Sequence, residues 1–247
     1  MKQFKKVLAG VAVAAALATS AHAALINVGG IVFDPNSPID FSGSSDSITQ
    51  SINPVTGELT GFGYVSKINN TKENVFSPGA ELTFQYSGFL PSVATAIPGP
   101  LGGGSQIQYT GGIVKFFVDT TPDTNFGTNL TFANTGDGTL WLDLVGHPQA
   151  GGITFVGTNF FPTSLQGAGL LDVIGGLAAA NLDTNTQQGG ADLKFSSTFT
   201  TFTNSLSPLE AIGAGTVTGN SIPEPESLAL VGLGLLGLAA SRRRKSV

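Results

Sequence analysis

The sequence predicts an all-β fold: a β-sandwich or jelly-roll-like body of about nine to eleven strands, flanked by an N-terminal signal helix and a C-terminal transmembrane helix. Three observations carry this. First, apolar and polar residues alternate in short runs through the middle of the chain; Glu81-Leu82-Thr83-Phe84-Gln85-Tyr86 puts Leu82, Phe84 and Tyr86 on one face of a strand. Second, glycine-containing turns punctuate these runs. Third, each end of the chain is an apolar segment bordered by lysines or arginines, which the middle of the chain does not repeat.

Further strands are predicted at Ile107 to Tyr109, Ile113 to Val118, Leu140 to Val145, Ile153 to Val156 and Leu193 to Phe202. Turns are expected at Thr56-Gly57, Thr110-Gly111-Gly112, Gly136-Asp137-Gly138, Gly151-Gly152, Gly175-Gly176 and Gly189-Gly190. The composition agrees, with 34 Gly and 17 Phe among 247 residues and only 11% charged side chains. Glycine and asparagine supply positive φ at turns, while threonine and phenylalanine suit a pleated, half-buried surface. Leu170 to Ala180 has a helical composition, but Gly175-Gly176 interrupts it, so it reads as a buried strand followed by a turn. Leu90 to Gly104, with Pro91, Pro98, Pro100 and three consecutive glycines, reads as a long exposed loop.

Residues 1–23 have the three parts of a signal peptide: a basic start to Lys6, an apolar run from Val7 to Ala18, and Ala21-His22-Ala23 as a small-x-small cleavage pattern. Cleavage after Ala23 leaves residues 24–220 as the secreted β domain. At residues 221–247 the order is Pro223-Glu224-Pro225, an apolar stretch from Leu228 to Ala240, and Arg242-Arg243-Arg244-Lys245. Two prolines forbid a regular helix or a central strand at the motif. From Ser227 to Ala240 the segment would rise about 21 Å as a helix, short of the roughly 30 Å hydrocarbon core, so it is a marginal anchor. The basic cluster holds the extreme C-terminus in the cytoplasm. A permanently anchored membrane protein with a rigid neck is the alternative reading of this end.

Pro223-Glu224-Pro225, the Leu/Gly/Ala span and the Arg-Arg-Arg-Lys cluster together resemble the PEP-CTERM sorting signal. The resemblance implies recognition by an exosortase, cleavage near Pro-Glu-Pro, and release to the cell surface or exopolysaccharide matrix of a Gram-negative bacterium. It also implies a transient inner-membrane anchor, while the N-terminal signal segment implies passage through the general secretion machinery and signal peptidase. Parts of the body are similar to the flocculation-associated group of these proteins: Glu81 to Phe84, Gly111 to Asp119, Leu140-Trp141-Leu142, Asp183 to Thr186 and Gly190 to Leu193. Ser77-Pro78-Gly79-Ala80 stands where that group has cysteines.

Charge and chemistry narrow the role of the body. Seven of the eleven basic residues lie at the termini; between Ala24 and Ile222, four lysines against fourteen carboxylates leave a net charge of −10. Such a surface repels nucleic acid and anionic lipid. No cysteine occurs, which excludes disulfides and thiolate chemistry. His147 is the one histidine left after signal cleavage; it sits in a predicted turn, and the body has no Gly-x-Ser-x-Gly elbow. Paired carboxylates are the remaining route to an enzyme, a glycoside hydrolase, but Asp119, Asp123, Asp137 and Asp183 all sit beside turn residues that use them locally.

No cofactor is expected. Calcium is the one metal worth considering, with Asp119, Asp123, Asn125 and Asp137 as weak candidates. Trp141 alternates with leucines and is either a core residue or an exposed sugar platform. The sequence therefore points away from an enzyme and toward a structural or adhesive component of exopolysaccharide matrix, flocculation or biofilm. The alternative is a carbohydrate-binding module with one defined glycan site, calcium-dependent or not.

Overall fold

The alternating runs do become strands. The computed structural model describes residues 23–97, 104–125, 127–160, 164–201 and 210–222. Along the chain these form β1 (Ile26–Val28), β2 (Ile31–Phe33), β3 (Phe41–Ile52), β4 (Leu59–Tyr64), β5 (Lys67–Ile68), β6 (Thr71–Lys72), the one-turn helix α1 (Glu73–Phe76), β7 (Glu81–Ile97) and β8 (Gly104–Asp119). There follow β9 (Thr139–Gly146), β10 (Phe155–Phe160), β11 (Ser164–Gly175), the short helix α2 (Ala179–Leu182), β12 (Leu193–Thr201) and β13 (Glu210–Gly219). The signal segment and everything from Pro223 onward, including the expected transmembrane helix, lie outside the described residues. Among the described residues no helix is long and apolar enough to cross a membrane.

The body is all-β as expected, but its main sheet closes into a barrel where two packed sheets were anticipated. Antiparallel pairing runs β13-β12-β11-β10-β8-β7-β4-β3, and β3 then pairs with β13 from Phe41 to Ser51, which joins the two ends. The closed ring has eight positions. One is shared end to end: β10 bridges β8 and β11 at Gly104 to Tyr109, and β9 bridges the same two strands further along, at Ile113 to Val118 of β8. A sheet of this many twisted strands satisfies its edges by closing, and eight strands leave an interior that side chains can fill.

Filling depends on small residues facing large ones. Leu82, Phe84, Tyr86 and Phe89 of β7 point inward with Val114 and Phe116 of β8, and all are buried. The ring of Phe155 occupies the space that a side chain at Gly167 on the neighbouring strand would need, and that of Tyr86 lies over Gly61. Each fully buried leucine or phenylalanine contributes about 1.5–3 kcal/mol relative to exposure. The outward positions are Ser, Thr, Gln and Lys, as in Lys194, Ser196, Thr198 and Thr200 of β12. The pattern is apolar inside and polar outside, the inverse of the lipid-facing band of a membrane barrel.

Two expected turns are strand instead. Gly111 and Gly112 have φ of +72° and +95°, yet β8 runs straight through them. They form a kink in which Phe89 covers Gly112, where any side chain would meet that ring. Likewise, β7 continues to Ile97 and β8 starts at Gly104, so most of the expected Leu90 to Gly104 loop is a β ribbon, and only 98–103 lie outside the described residues. A register shift between Pro91 and Val93 absorbs the proline, and β4 pairs with β7 only as far as Phe89. The missing N–H of Pro91 therefore falls on an edge, where it costs no ladder bond.

One end of the barrel is plugged. The β1–β2 hairpin lies across it, burying Ile26, Ile31 and Phe33 against Phe41, and Phe76 of α1 and Leu182 of α2 complete the seal. The chain enters and leaves the body at this end: β13 ends there, Ile222 N–H donates to Asn181 O at 2.8 Å, and Asn181 Nδ2 donates to Ile222 O at 3.3 Å. Leu25–Glu224 make one compact unit. At the opposite end, where β3, β10 and β12 finish and β4, β8 and β11 begin, the connections 98–103, 161–163 and 202–209 lie outside the described residues.

Candidate functional site

Trp141 is not a surface platform. It is fully buried, its ring 6.1 Å from that of Phe41, and its Nε1–H donates to Val28 O at 2.9 Å. A register shift between Phe116 and Phe117 on the paired strand lets β9 turn Trp141 and Leu142 into the interior together, so the simple alternation with Leu140 and Leu142 breaks. The residue pins the plug hairpin to the barrel.

The acidic candidates separate. Asp119 and Asp123 come together with Glu81, the three carboxylates placing oxygens within 4.8 Å of one another. Asp137 is not part of that group, and Asn125 is turned into its own loop, Nδ2 donating to Thr128 Oγ1 at 2.8 Å. Glu81 was read from the sequence only as a polar strand residue; its sole sequence signal is its place at the outward end of an alternating run. In the fold it is 1% exposed, because the excursion between β8 and β9 packs over the outer face of β7. Glu81 accepts hydrogen bonds from the N–H groups of Asp123 and Thr124 and from the Thr124 hydroxyl, while Thr83 Oγ1 donates to Thr135 O at 2.9 Å and Gln85 reaches Phe132 O. Asp119 Oδ1 accepts from Thr121 N–H and hydroxyl.

Burial pushes the Glu81 carboxyl above its ordinary range, opposed in part by these donors and reinforced by the charge of Asp123. Glu73, on α1, is raised by burial and by the charge of Glu81, while its hydrogen bond from the Tyr64 hydroxyl pulls the other way. Oxygens in this arrangement are of the kind hard cations take. The donors already committed to Glu81 and Asp119 give the cluster a definite task without one: it anchors the β8–β9 excursion to the barrel wall.

His147 is more specifically held than a turn histidine. Its Nδ1 lies 2.8 and 2.9 Å from the two carboxylate oxygens of Asp172 on β11, half-buried beside an open depression lined by Gln108, Ile153, Leu170 and Gly189. No serine or threonine lines that depression among the described residues. The pair therefore has a base and an orienting carboxylate but no hydroxyl placed for nucleophilic attack.

A broad surface groove among the described residues was not singled out from the sequence. Five adjacent strands turn small side chains outward: Ser44 of β3 pairs with Thr216 of β13, Thr216 with Ser196 of β12, Ser196 with Ala168 of β11, and Ala168 with Val156 of β10. They floor an open groove of about 760 Å³, with Gln166, Thr158 and Thr198 along it and Lys67, Asn70 and Asp46 at its rim. Lys67 and Asp46 pair there at 3.6 Å. The signal was present in part in the alternation, as in Ser42 and Ser44 of β3 and Ser196, Thr198 and Thr200 of β12, but the registry of five strands was not.

The sorting residues Pro223, Glu224, Pro225, Arg242, Arg243, Arg244 and Lys245, and Ala21 of the cleavage pattern, lie outside the described residues; Ala23 is the first described. No curated protein and no solved structure matches the chain. A family match exists at the C-terminal end, where residues 221–245 correspond to the PEP-CTERM protein-sorting motif. The match is confined to that motif and gives no support to the flocculation-associated resemblance of the body. The motif starts one residue before Ile222, which is bonded to α2, so the folded body abuts its own sorting signal. By that match the chain carries a PEP-CTERM protein-sorting motif, which implies an exported, exosortase-targeted protein.

Proposed function

We propose that the exported barrel is a structural and adhesive component of the exopolysaccharide matrix, acting without catalysis through many weak contacts between glycan and its outer hydroxyl face. The observation that carries this reading is the five-strand groove of Ser44, Thr216, Ser196 and Ala168. Small hydroxyl side chains let an extended polyhydroxylated chain approach the sheet and exchange hydrogen bonds with it, each contributing about 1 kcal/mol net. Such contacts are individually weak and add along a polymer. The net charge of −10 on the body favours neutral glycans over anionic ones. The sorting motif supports delivery to the surface where that polymer is found. Matrix cohesion, and with it flocculation or biofilm formation, follows when several barrels contact one chain.

The alternative, a binding module with a single defined glycan site, is favoured by the groove being one continuous depression of about 760 Å³. Sedimentation of the purified protein with exopolysaccharide from the producing cells tests both. Replacing Ala168 by Arg in the floor of the groove is expected to lower the bound fraction without changing thermal stability, because the side chain points to solvent. Unchanged binding would refute a role for this face. Saturation by a short oligosaccharide at one site per barrel would favour the module.

A further inference from the structure

Among the described residues the barrel end opposite the plug holds a cavity of about 140 Å³, on the inner side of the wall whose outer side carries the groove. Its walls are largely apolar, with Leu59, Tyr109, Phe155, Leu165 and Phe199 among the side chains that face it. Polar groups interrupt this surface, and one of them, Ser197, lacks a partner. Ser197 is buried to 6% exposure, and its Oγ makes no hydrogen bond among the described residues. Gln50 is buried to 7%, and its Oε1 accepts from the Tyr86 hydroxyl at 3.3 Å. Tyr109 lines the same cavity, and burial raises its pKa, so its hydroxyl stays a neutral donor.

An unpaired buried hydroxyl is costly, so a fold rarely leaves one facing a cavity unless something else satisfies it. Glycine at 157 keeps the space open. A Cβ built there would meet only ordinary contacts, 3.4 Å from the Tyr109 ring, so nothing in the packing excludes a larger residue. No charged side chain lines the cavity among the described residues. Its volume is close to that of an apolar cavity of about 150 Å³ that takes up benzene.

We propose that the barrel mouth is a binding site for a small neutral amphiphile: one ring-sized apolar body seated among Phe155, Leu59, Leu165 and Phe199, carrying a hydroxyl or carbonyl that pairs with Ser197, Gln50 and Tyr109. An apolar pocket with a few convergent polar groups is the ordinary form of a small-molecule site, and the open end of a small barrel is a usual place for one. The cavity lies inside the barrel and the groove outside it, so the two sites stand or fall separately.

Benzyl alcohol and toluene are suitable probes, sharing a ring and differing in the hydroxyl. Ligand-observed NMR titration of the purified protein is expected to show saturable binding of benzyl alcohol, with toluene weaker. Ser197→Ala removes one partner without adding volume; it is expected to weaken benzyl alcohol about tenfold, leave toluene unchanged, and keep or raise the melting temperature. Gly157→Val fills the space and is expected to abolish binding of both probes in a folded barrel. Absence of saturable binding to the wild-type protein would overturn the proposal, as would full binding by folded Gly157→Val. Equal losses of both probes in Ser197→Ala would overturn the assigned role of the hydroxyl.

Discussion

Replacing Trp141 separates a packing role from a surface role in one residue. The side chain is fully buried, its indole N–H bonds to Val28 O at 2.9 Å, and its ring lies against Phe41, so it joins the barrel to the β1–β2 plug. Truncation to alanine removes a large aromatic group from a close-packed interior, a change that costs about 3–5 kcal/mol. It also strands the Val28 carbonyl, adding about 1 kcal/mol if water does not reach it. A total of about 4–6 kcal/mol is a large part of the 5–15 kcal/mol that a domain of this kind holds in reserve. Trp141→Phe keeps most of the apolar volume and loses the donor, with an expected cost of about 1–3 kcal/mol.

Equilibrium urea unfolding followed by far-ultraviolet circular dichroism measures both variants on one scale, since the chain has a single tryptophan and fluorescence is lost with it. The expected order is wild type, then Phe, then Ala, with an unchanged slope against denaturant. If Trp141→Ala cost less than about 1 kcal/mol, the residue would not be a core anchor and the plugged end of the barrel would be wrongly described.

Other consequences follow from the packing. Because burial raises the folded-state carboxyl pKa of Glu73 and Glu81, the folded protein holds those protons more tightly than the unfolded chain. The stability they contribute is complete below the unfolded carboxylate pKa, about 4.3 for Glu, and is lost as pH rises through the raised folded values. Glu73→Gln keeps an acceptor for the Tyr64 hydroxyl and removes the charge, so its melting temperature should fall less than that of wild type as pH rises above the ordinary Glu range of about 4.3; parallel profiles would contradict the assignment. Gly112→Ala combines a positive φ with a collision against the Phe89 ring, and should cost about 2–5 kcal/mol by thermal unfolding, whereas alanine at Gly157 should be nearly neutral; equal effects would contradict the inward orientation of Phe89.

What the sequence made legible was local. Alternation identified the inward face of β7, with Leu82, Phe84 and Tyr86 all buried, and the strand reading of Leu170 onward holds through Gly175. Closure of the barrel was not legible, because inward–outward alternation is the same for a sandwich as for a barrel, and the deciding pair, β3 with β13, joins opposite ends of the body. Gly111-Gly112 was read as a turn, since positive φ serves a bulge as well as a hairpin. Pro91 suggested a loop, although an edge strand tolerates it.

The candidate sites show the same division. Asp119 and Asp123 were visible as loop carboxylates, but Glu81 joins them only because the β8–β9 excursion folds back over β7. The barrel-mouth cavity gave no sequence signal, since Gln50, Tyr109 and Ser197 lie on three strands far apart in the chain and meet only inside the closed ring. The C-terminal signal was legible in full because it is contiguous and depends on composition and order, with no tertiary contact needed to recognise it.

The account rests on delivery of this barrel to the cell surface by removal of both end segments, and intact-mass spectrometry of the protein recovered from outside the cells tests that directly. The expected species begins at Ala24 and ends close to Pro223-Glu224-Pro225, just beyond the residues bonded to α2. Recovery of a surface protein that still carries Leu228 to Val247 would contradict it.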